Sequence, residues 1–305
     1  MVSKNVLIIG GTGYIGRNLI PRLIELNYKV RCLIRKQSID KFMTVAGVEV
    51  FQGDLLDMES LHDVLKNIDV AFYMAHSLNE KKNFEAIEKR TAENFANSSK
   101  LADVKRIIYV GALGTLEDEM LSPHLRSRKL VGDILRKSET KVIEFQASII
   151  LGAGSLSFEM IRSLSERLPI MIMPKWVRVK SQPISIKDVL SYLIESIDLN
   201  IQQNEIFEIG SPDRVSYEDL IVEYSKQSGL KRLLIPVPVL TPWLSSLWLG
   251  LVTPIFARVG RKLIESIKVS TIVQNNRALE VFPEIKPLGV KEAIKYALKI
   301  SSSKK

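Results

Sequence analysis

A single cysteine, Cys32, occurs among the 305 residues. One thiol closes no intrachain disulfide and builds no cysteine-cluster metal site, so the sequence suits a reducing compartment. Histidine is nearly as scarce: His62, His76 and His124 are the three, scattered without the spacing of a ligand set, and no metal site is expected. No stretch is low-complexity, and no apolar run continues unbroken for the roughly 20 residues of a spanning helix. The nearest candidate, Leu233 to Ala257, carries no charged residue but is interrupted by Pro236, Pro238, Pro242 and Pro254. Met1 to Asn5 leads straight into a strand pattern, with neither the charged n-region nor the apolar segment of an export signal, which predicts a cytoplasmic protein.

What is present reads as globular. Hydrophobic residues are 46% and charged residues 25%, and the length suits one large domain or two lobes. A formal charge of +9 favours an anionic partner, whether nucleotide phosphate, nucleic acid or anionic lipid. The basic residues are dispersed and follow no finger, zipper or RNP-like pattern, so nucleic acid is not expected.

Short apolar runs alternate with amphipathic stretches, the rhythm of βα units around a parallel sheet. Strands are predicted at Val6 to Ile9, Val30 to Ile34, Val48 to Phe51, Val70 to Met74, Ile107 to Val110 and Val142 to Ile150. Helical spacing marks Tyr14 to Leu26, Leu61 to Lys66, Phe84 to Leu101 and Leu125 to Leu135. The fold class expected is α/β, a doubly wound parallel sheet over residues 1–150, followed by a smaller mixed α/β lobe over 151–305. Within that lobe Glu205 to Ile209 reads as a strand returning to the main sheet. Ser216 to Asp219 reads as a capping box, and Thr241 and Pro242 as the start of a short helix ending near Leu251.

Directly after the first strand comes Gly10-Gly11-Thr12-Gly13-Tyr14-Ile15-Gly16. Gly10 permits a tight turn, Gly13 lets backbone approach a pyrophosphate, and Gly16 lets the opening helix pack on the strand, while free N–H groups and the helix dipole face phosphate. The strand before and the helix and strand after supply the context that a dinucleotide fingerprint requires. At the tip of the second strand stand Arg35 and Lys36, where an NAD site usually places a carboxylate. Two cations attract a 2′-phosphate, so NADP(H) is expected in preference to NAD(H). Asp54 and Leu55 follow the third strand, where the carboxylate can meet the adenine amino group or serve the local turn. Ala75 and His76 end the fourth strand.

These elements together resemble the extended and atypical short-chain dehydrogenase/reductase superfamily over nearly the whole chain. VEVFQGDLLD from Val48, VAFYMAHSL from Val70, LSPHLRSRKLVG from Leu121, QPISIKDVL from Gln182 and LSSLWLGLVTP from Leu244 are similar to a bacterial and archaeal NAD(P)H-binding subgroup. That subgroup is similar to the nucleotide-binding accessory subunit of respiratory complex I and to NADP-sensing regulators of nitrogen metabolism. The resemblance implies cofactor contact at Ala75 and His76, where the fourth strand ends. The superfamily's enzymes use Tyr-x-x-x-Lys, in which the phenol exchanges a proton with a carbonyl or alcohol. Here the resemblance aligns His124 with the Tyr and Arg128 with the Lys, and Gly111 to Gly114 stand where a catalytic Ser or Thr belongs. An imidazole can act as general acid, and an arginine can bridge ribose hydroxyls, so His124 and Arg128 are the catalytic candidates.

Two functions from different classes follow. One is an oxidoreductase acting on an apolar or lipid-like small molecule; the other is a nonenzymatic NADP(H) sensor, or an assembly component at the membrane. The segment Leu233 to Ala257, with Trp243 and Trp248 and flanking Lys231, Arg232, Arg258, Arg261 and Lys262, is the expected site of lipid or peripheral membrane contact.

Overall fold

A computed structural model describes residues 3–36, 46–76, 84–114, 122–237 and 269–303. The predicted helix from Thr241 to Leu251, and both of its tryptophans, lie outside the described residues.

The chain opens with β1 (Asn5–Ile9), α1 (Tyr14–Glu25), β2 (Lys29–Ile34), β3 (Val48–Gln52), α2 (Met58–Leu65) and β4 (Val70–Tyr73). It continues with α3 (Phe84–Leu101), β5 (Arg106–Ala112), α4 (Pro123–Lys137) and β6 (Lys141–Ala147). A later strand, Glu205–Ile209, completes a seven-stranded sheet whose order is that strand, β6, β5, β4, β1, β2, β3. The pairs from β5 through β4, β1 and β2 to β3 are parallel, with Ile8 opposite both Cys32 and Phe72. Strand order reverses between β1 and β4, and in a doubly wound sheet ligands sit beyond the strand carboxyl ends at that reversal. Val6, Leu7 and Ile8 are fully buried, as a central parallel strand covered on both faces requires.

Two compact units interleave along the sequence. The first comprises Met1–Gly111, Ser127–Gln146 and Leu190–Phe207, the second Ala112–Arg126, Ala147–Val189 and Glu208–Lys305. In the first unit Leu7, Ile9, Leu61, Val64, Phe95, Ile107 and Val142 join one buried cluster between sheet and helices. The second unit has its own core of Leu151, Phe158, Ile161, Leu164, Leu220, Tyr224, Ile294 and Ala297.

The apolar run Val142 to Ile150 is not one strand. β6 ends at Ala147, and Ile150–Leu151 forms β7, which pairs in parallel with Ile184–Ser185. At the break the Ser148 hydroxyl meets Thr271 Oγ1 at 2.5 Å, and Leu113 N–H donates to the Ala147 carbonyl. Apolar character continues through a change of sheet, so periodicity alone could not locate it. The helix expected from Leu61 begins earlier, because the Asp57 side chain caps it by accepting from the Glu59 N–H. The capping box holds: Ser216 and Asp219 exchange hydrogen bonds at the start of the helix Tyr217–Gln227.

One apolar surface belongs to the second unit. Strand Ile170–Pro174 pairs in parallel with Leu233–Val237, placing Ile170 beside Leu233 and Ile172 beside Ile235. These four side chains are 53%, 58%, 41% and 42% exposed respectively.

Candidate nucleotide site and its histidine cluster

The glycine loop owes its shape to what a side chain would strike. Gly10 has φ +84°, and a Cβ there would lie 2.5 Å from the Met74 carbonyl oxygen. The loop is thus pressed against the carboxyl end of β4. At Gly16 a Cβ would come within 2.6 Å of the Gly10 carbonyl oxygen, so α1 can start this close to β1 only with glycine there. The loop closes with Gly13 N–H donating to the Gly10 carbonyl at 2.9 Å. Gly13 is the N-cap of α1 and makes no side-chain cap, and the first turn contains no acidic residue. Backbone N–H groups and the positive end of the helix dipole are therefore arranged as for an anion. Thr12 and Gly13 are exposed, Tyr14 and Ile15 half-buried, and Gly11 buried beneath them. A cradle that Cβ atoms would fill, with no carboxylate to repel phosphate, fits the pyrophosphate of a dinucleotide.

Arg35 and Lys36 are exposed just past β2. Asp54 Oδ1 accepts from the Leu56 N–H at 2.9 Å, so this carboxylate braces its own turn while remaining exposed. The Leu55 carbonyl accepts from Asn94 Nδ2 at 2.9 Å. Cys32 is buried in β2, and burial pushes its thiol up to about 12, which keeps it protonated and unreactive.

Ala75 and His76 follow β4, both half-buried. His76 Nδ1 lies 2.7 Å from Glu88 Oε1 on α3, and Ser127 on α4 donates from its hydroxyl to Glu88 Oε2. Glu88 and Ser127 were not singled out in the sequence, yet a signal for the first was available. The buried face of α3 reads Glu88, Thr91, Ala92, Phe95, Ala96, Ser98, Ser99, which places a carboxylate in register with core residues. Such a group is rarely buried unless something holds it.

His124 lies in the first turn of α4, half-buried. Arg128, one turn on, is turned toward β5: its guanidinium donates to the Val110 carbonyl and lies over the Tyr109 ring. Tyr73 and Tyr109 are both wholly buried, and burial raises both phenols above their ordinary value, with the Glu88 charge adding to the effect. Neither can stand in for a catalytic phenolate. His62 on α2 is exposed beside Asp63. No group of three or more metal-ligating side chains occurs among the described residues, and none of their helices is long and apolar enough to cross a membrane.

Sheet order, glycine loop and strand-end contacts define a Rossmann-type nucleotide-binding protein of short-chain dehydrogenase/reductase architecture. The chain belongs to the NmrA-like family, whose model matches residues 2–241. Among curated relatives, the photosystem II assembly factor Ycf39 of Guillardia theta is 25% identical over 238 residues, 77% of this chain and 74% of that protein. The ceramide reductase of Caulobacter vibrioides is 26% identical over 168 residues, and the match spans 54% of this chain and about half of that enzyme, 52%. Among solved structures, the Citrobacter triphenylmethane reductase in complex with NADP(H) shares the fold at a TM-score of 0.74 and 16% identity, covering 96% of this chain and 99% of its own.

Proposed function

We propose that this protein is an NADP(H)-dependent reductase acting on an apolar, lipid-like carbonyl compound. The observation that carries the reading is the glycine loop packed on the end of β4 at the point where strand order reverses. Backbone N–H groups of the glycine loop other than that of Gly13, together with the start of α1, would hold the pyrophosphate. Arg35 and Lys36 would take a 2′-phosphate, and the strand-end residues Asp54, Leu55, Ala75 and His76 would border the remainder. Bound there, the nicotinamide supplies hydride. The apolar substrate class draws support from the ceramide reductase and from the sterol-4-alpha-carboxylate 3-dehydrogenase of Dictyostelium discoideum, 25% identical over 122 residues.

Calorimetric titration tests the cofactor. NADPH should bind at least roughly tenfold tighter than NADH, because a charge-assisted contact to phosphate contributes about 1.5–3 kcal/mol. Arg35→Ala should narrow that ratio; equal affinities in the wild type would remove the argument. NADPH oxidation with long-chain and sterol ketones then tests the reaction.

The exposed pairs Ile170/Leu233 and Ile172/Ile235 favour a second reading, an assembly or sensor role at a membrane surface, as the Ycf39 relative suggests. These pairs lead directly into the charge-free stretch that follows Val237. Flotation with anionic vesicles at low salt separates the readings: protein remaining at the bottom of the gradient sinks the membrane role.

A further inference from the structure

The His76–Glu88–Ser127 cluster lies where the nucleotide reading needs only backbone. Three elements converge on it: the end of β4 brings His76, the second turn of α3 brings Glu88, and α4 brings Ser127. The Glu88 side chain is 5% exposed and that of His76 21%, with His76 Nε2 itself buried. A carboxylate so buried is costly unless its oxygens are satisfied, and here both are engaged, Oε2 by the Ser127 hydroxyl and Oε1 by the His76 ring. Thr91 donates to the Glu88 backbone carbonyl at 3.0 Å, and Tyr73 donates to Thr91 at 3.2 Å, which ties this turn of α3 to β4. The arrangement is not that of a nucleophilic serine, because the hydroxyl bonds the carboxylate and not the imidazole. It is instead a carboxylate braced to orient one imidazole and to stabilise its charged form. Gly10 packs against the carbonyl of Met74, two residues before His76, so the backbone that carries this imidazole runs beside the glycine loop at the strand reversal.

We infer that His76 is the proton donor that replaces the missing Tyr-x-x-x-Lys pair, with Glu88 and Ser127 as positioning residues. The inference rests on the reductase reading above. In the step, the substrate carbonyl carbon accepts hydride from reduced nicotinamide, and the C=O π pair moves onto oxygen. That oxygen takes the Nε2 proton of the His76 imidazolium, forming the alcohol. A neutral imidazole remains, its Nδ1–H still held by Glu88, and solvent returns the proton.

Nitrogen-15 NMR of histidine-labelled full-length protein gives a readout without turnover and without a variant. His76 should show a protonated Nδ1, and adding NADPH should shift its ring signals while leaving those of His62 in place. An unprotonated Nδ1, or a His76 ring blind to bound NADPH, overturns the inference and leaves the cofactor reading standing. Absence of NADPH binding removes both. The second arm compares carbonyl acceptors with a cationic triphenylmethane dye, whose central carbon accepts hydride and needs no proton. His76→Gln should lower the ratio of carbonyl to dye rates about hundredfold, within the range usual for a general acid. Glu88→Gln, which keeps the shape and removes the charge, should lower it at least roughly tenfold by the same argument. An unchanged ratio in His76→Gln, loss confined to His124→Ala, or a wild type that binds NADPH but reduces no carbonyl, each overturns the proton role.

Discussion

The Arg128 guanidinium lies 4.8 Å from the centroid of the Tyr109 ring, and the Tyr109 hydroxyl donates to the Arg128 backbone carbonyl at 2.9 Å. The same guanidinium donates to the Val110 carbonyl. In the resembling enzymes this position belongs to a lysine that serves the cofactor; here the cation is committed to β5. Arg128→Lys should therefore act on stability first. A buried cation–π contact contributes up to about 2 kcal/mol and a charged hydrogen bond about 1.5–3, while lysine recovers part of each, so a loss of roughly 1–3 kcal/mol is expected in urea unfolding. NADPH affinity should change by less than about threefold. A variant of wild-type stability that no longer binds NADPH would show that the guanidinium serves the cofactor after all.

Gly10 and Gly13 should separate fold from binding. Alanine at Gly10 meets both a left-handed φ of +84° and a Met74 carbonyl oxygen at 2.5 Å, so Gly10→Ala should destabilise the apoprotein. At Gly13 the φ is −72°, and a Cβ would lie 3.1 Å from the Gly10 carbonyl oxygen, a tight but adjustable contact. The exposed methyl would instead stand where pyrophosphate approaches. Gly13→Ala should keep most of its melting temperature yet bind NADPH at least roughly tenfold more weakly by calorimetry. Equal behaviour of the two variants would contradict this division of labour.

The sheet was legible because its central strands are buried on both faces and spell continuous apolar runs, and because the glycine fingerprint fixes where β1 ends. The change of sheet at Ser148 was not legible, since the apolar character of Val142 to Ile150 carries no mark of which partner each residue pairs with. The cofactor loop could be read residue by residue from local backbone needs. The histidine cluster could not, because its members are separated by 12 and 39 residues and meet only through packing of α3 and α4. The contacts of Arg128 with β5 were hidden for a related reason: an alignment gives its position along the helix but not the direction in which its side chain turns.

A second buried charge pair tests how strongly this unit depends on satisfied polar groups. Arg136 on α4 pairs with Glu144 on β6, whose side chain is 2% exposed, and with Asp133. Room for that carboxylate comes from two glycines: a Cβ at Gly111 would lie 2.5 Å from Glu144 Oε1, and one at Gly132 would lie 2.6 Å from Oε2. Arg136→Ala leaves the carboxylate buried without its cation and should cost about 3–5 kcal/mol in urea unfolding. Replacing both partners together, Arg136→Met with Glu144→Leu, should recover most of that loss, because the charge that needed solvation is gone. A double variant no more stable than Arg136→Ala would contradict this account.

Asp188 gives the pH dependence its sign. It is 4% exposed on the helix Ile186–Glu195, and Oδ2 accepts from the Leu288 N–H at 2.9 Å. Burial raises its carboxyl above the ordinary value of 3.8, outweighing the opposing effects of the Leu288 hydrogen bond and of Lys187. An acid whose folded value is raised binds its proton more tightly folded than unfolded, so its ionisation costs the native state. The cost is absent below the unfolded value, grows as pH rises through the window from 3.8 to the raised folded value, and is fully present above it. Asp188→Asn keeps an oxygen to accept from Leu288 and never ionises. It should therefore be more stable than wild type near about pH 7, with the difference shrinking toward zero near about pH 3. Urea unfolding at a series of pH values measures this directly. An advantage for Asn that grew on acidification would mean that the carboxyl is stabilised, and not strained, by its burial.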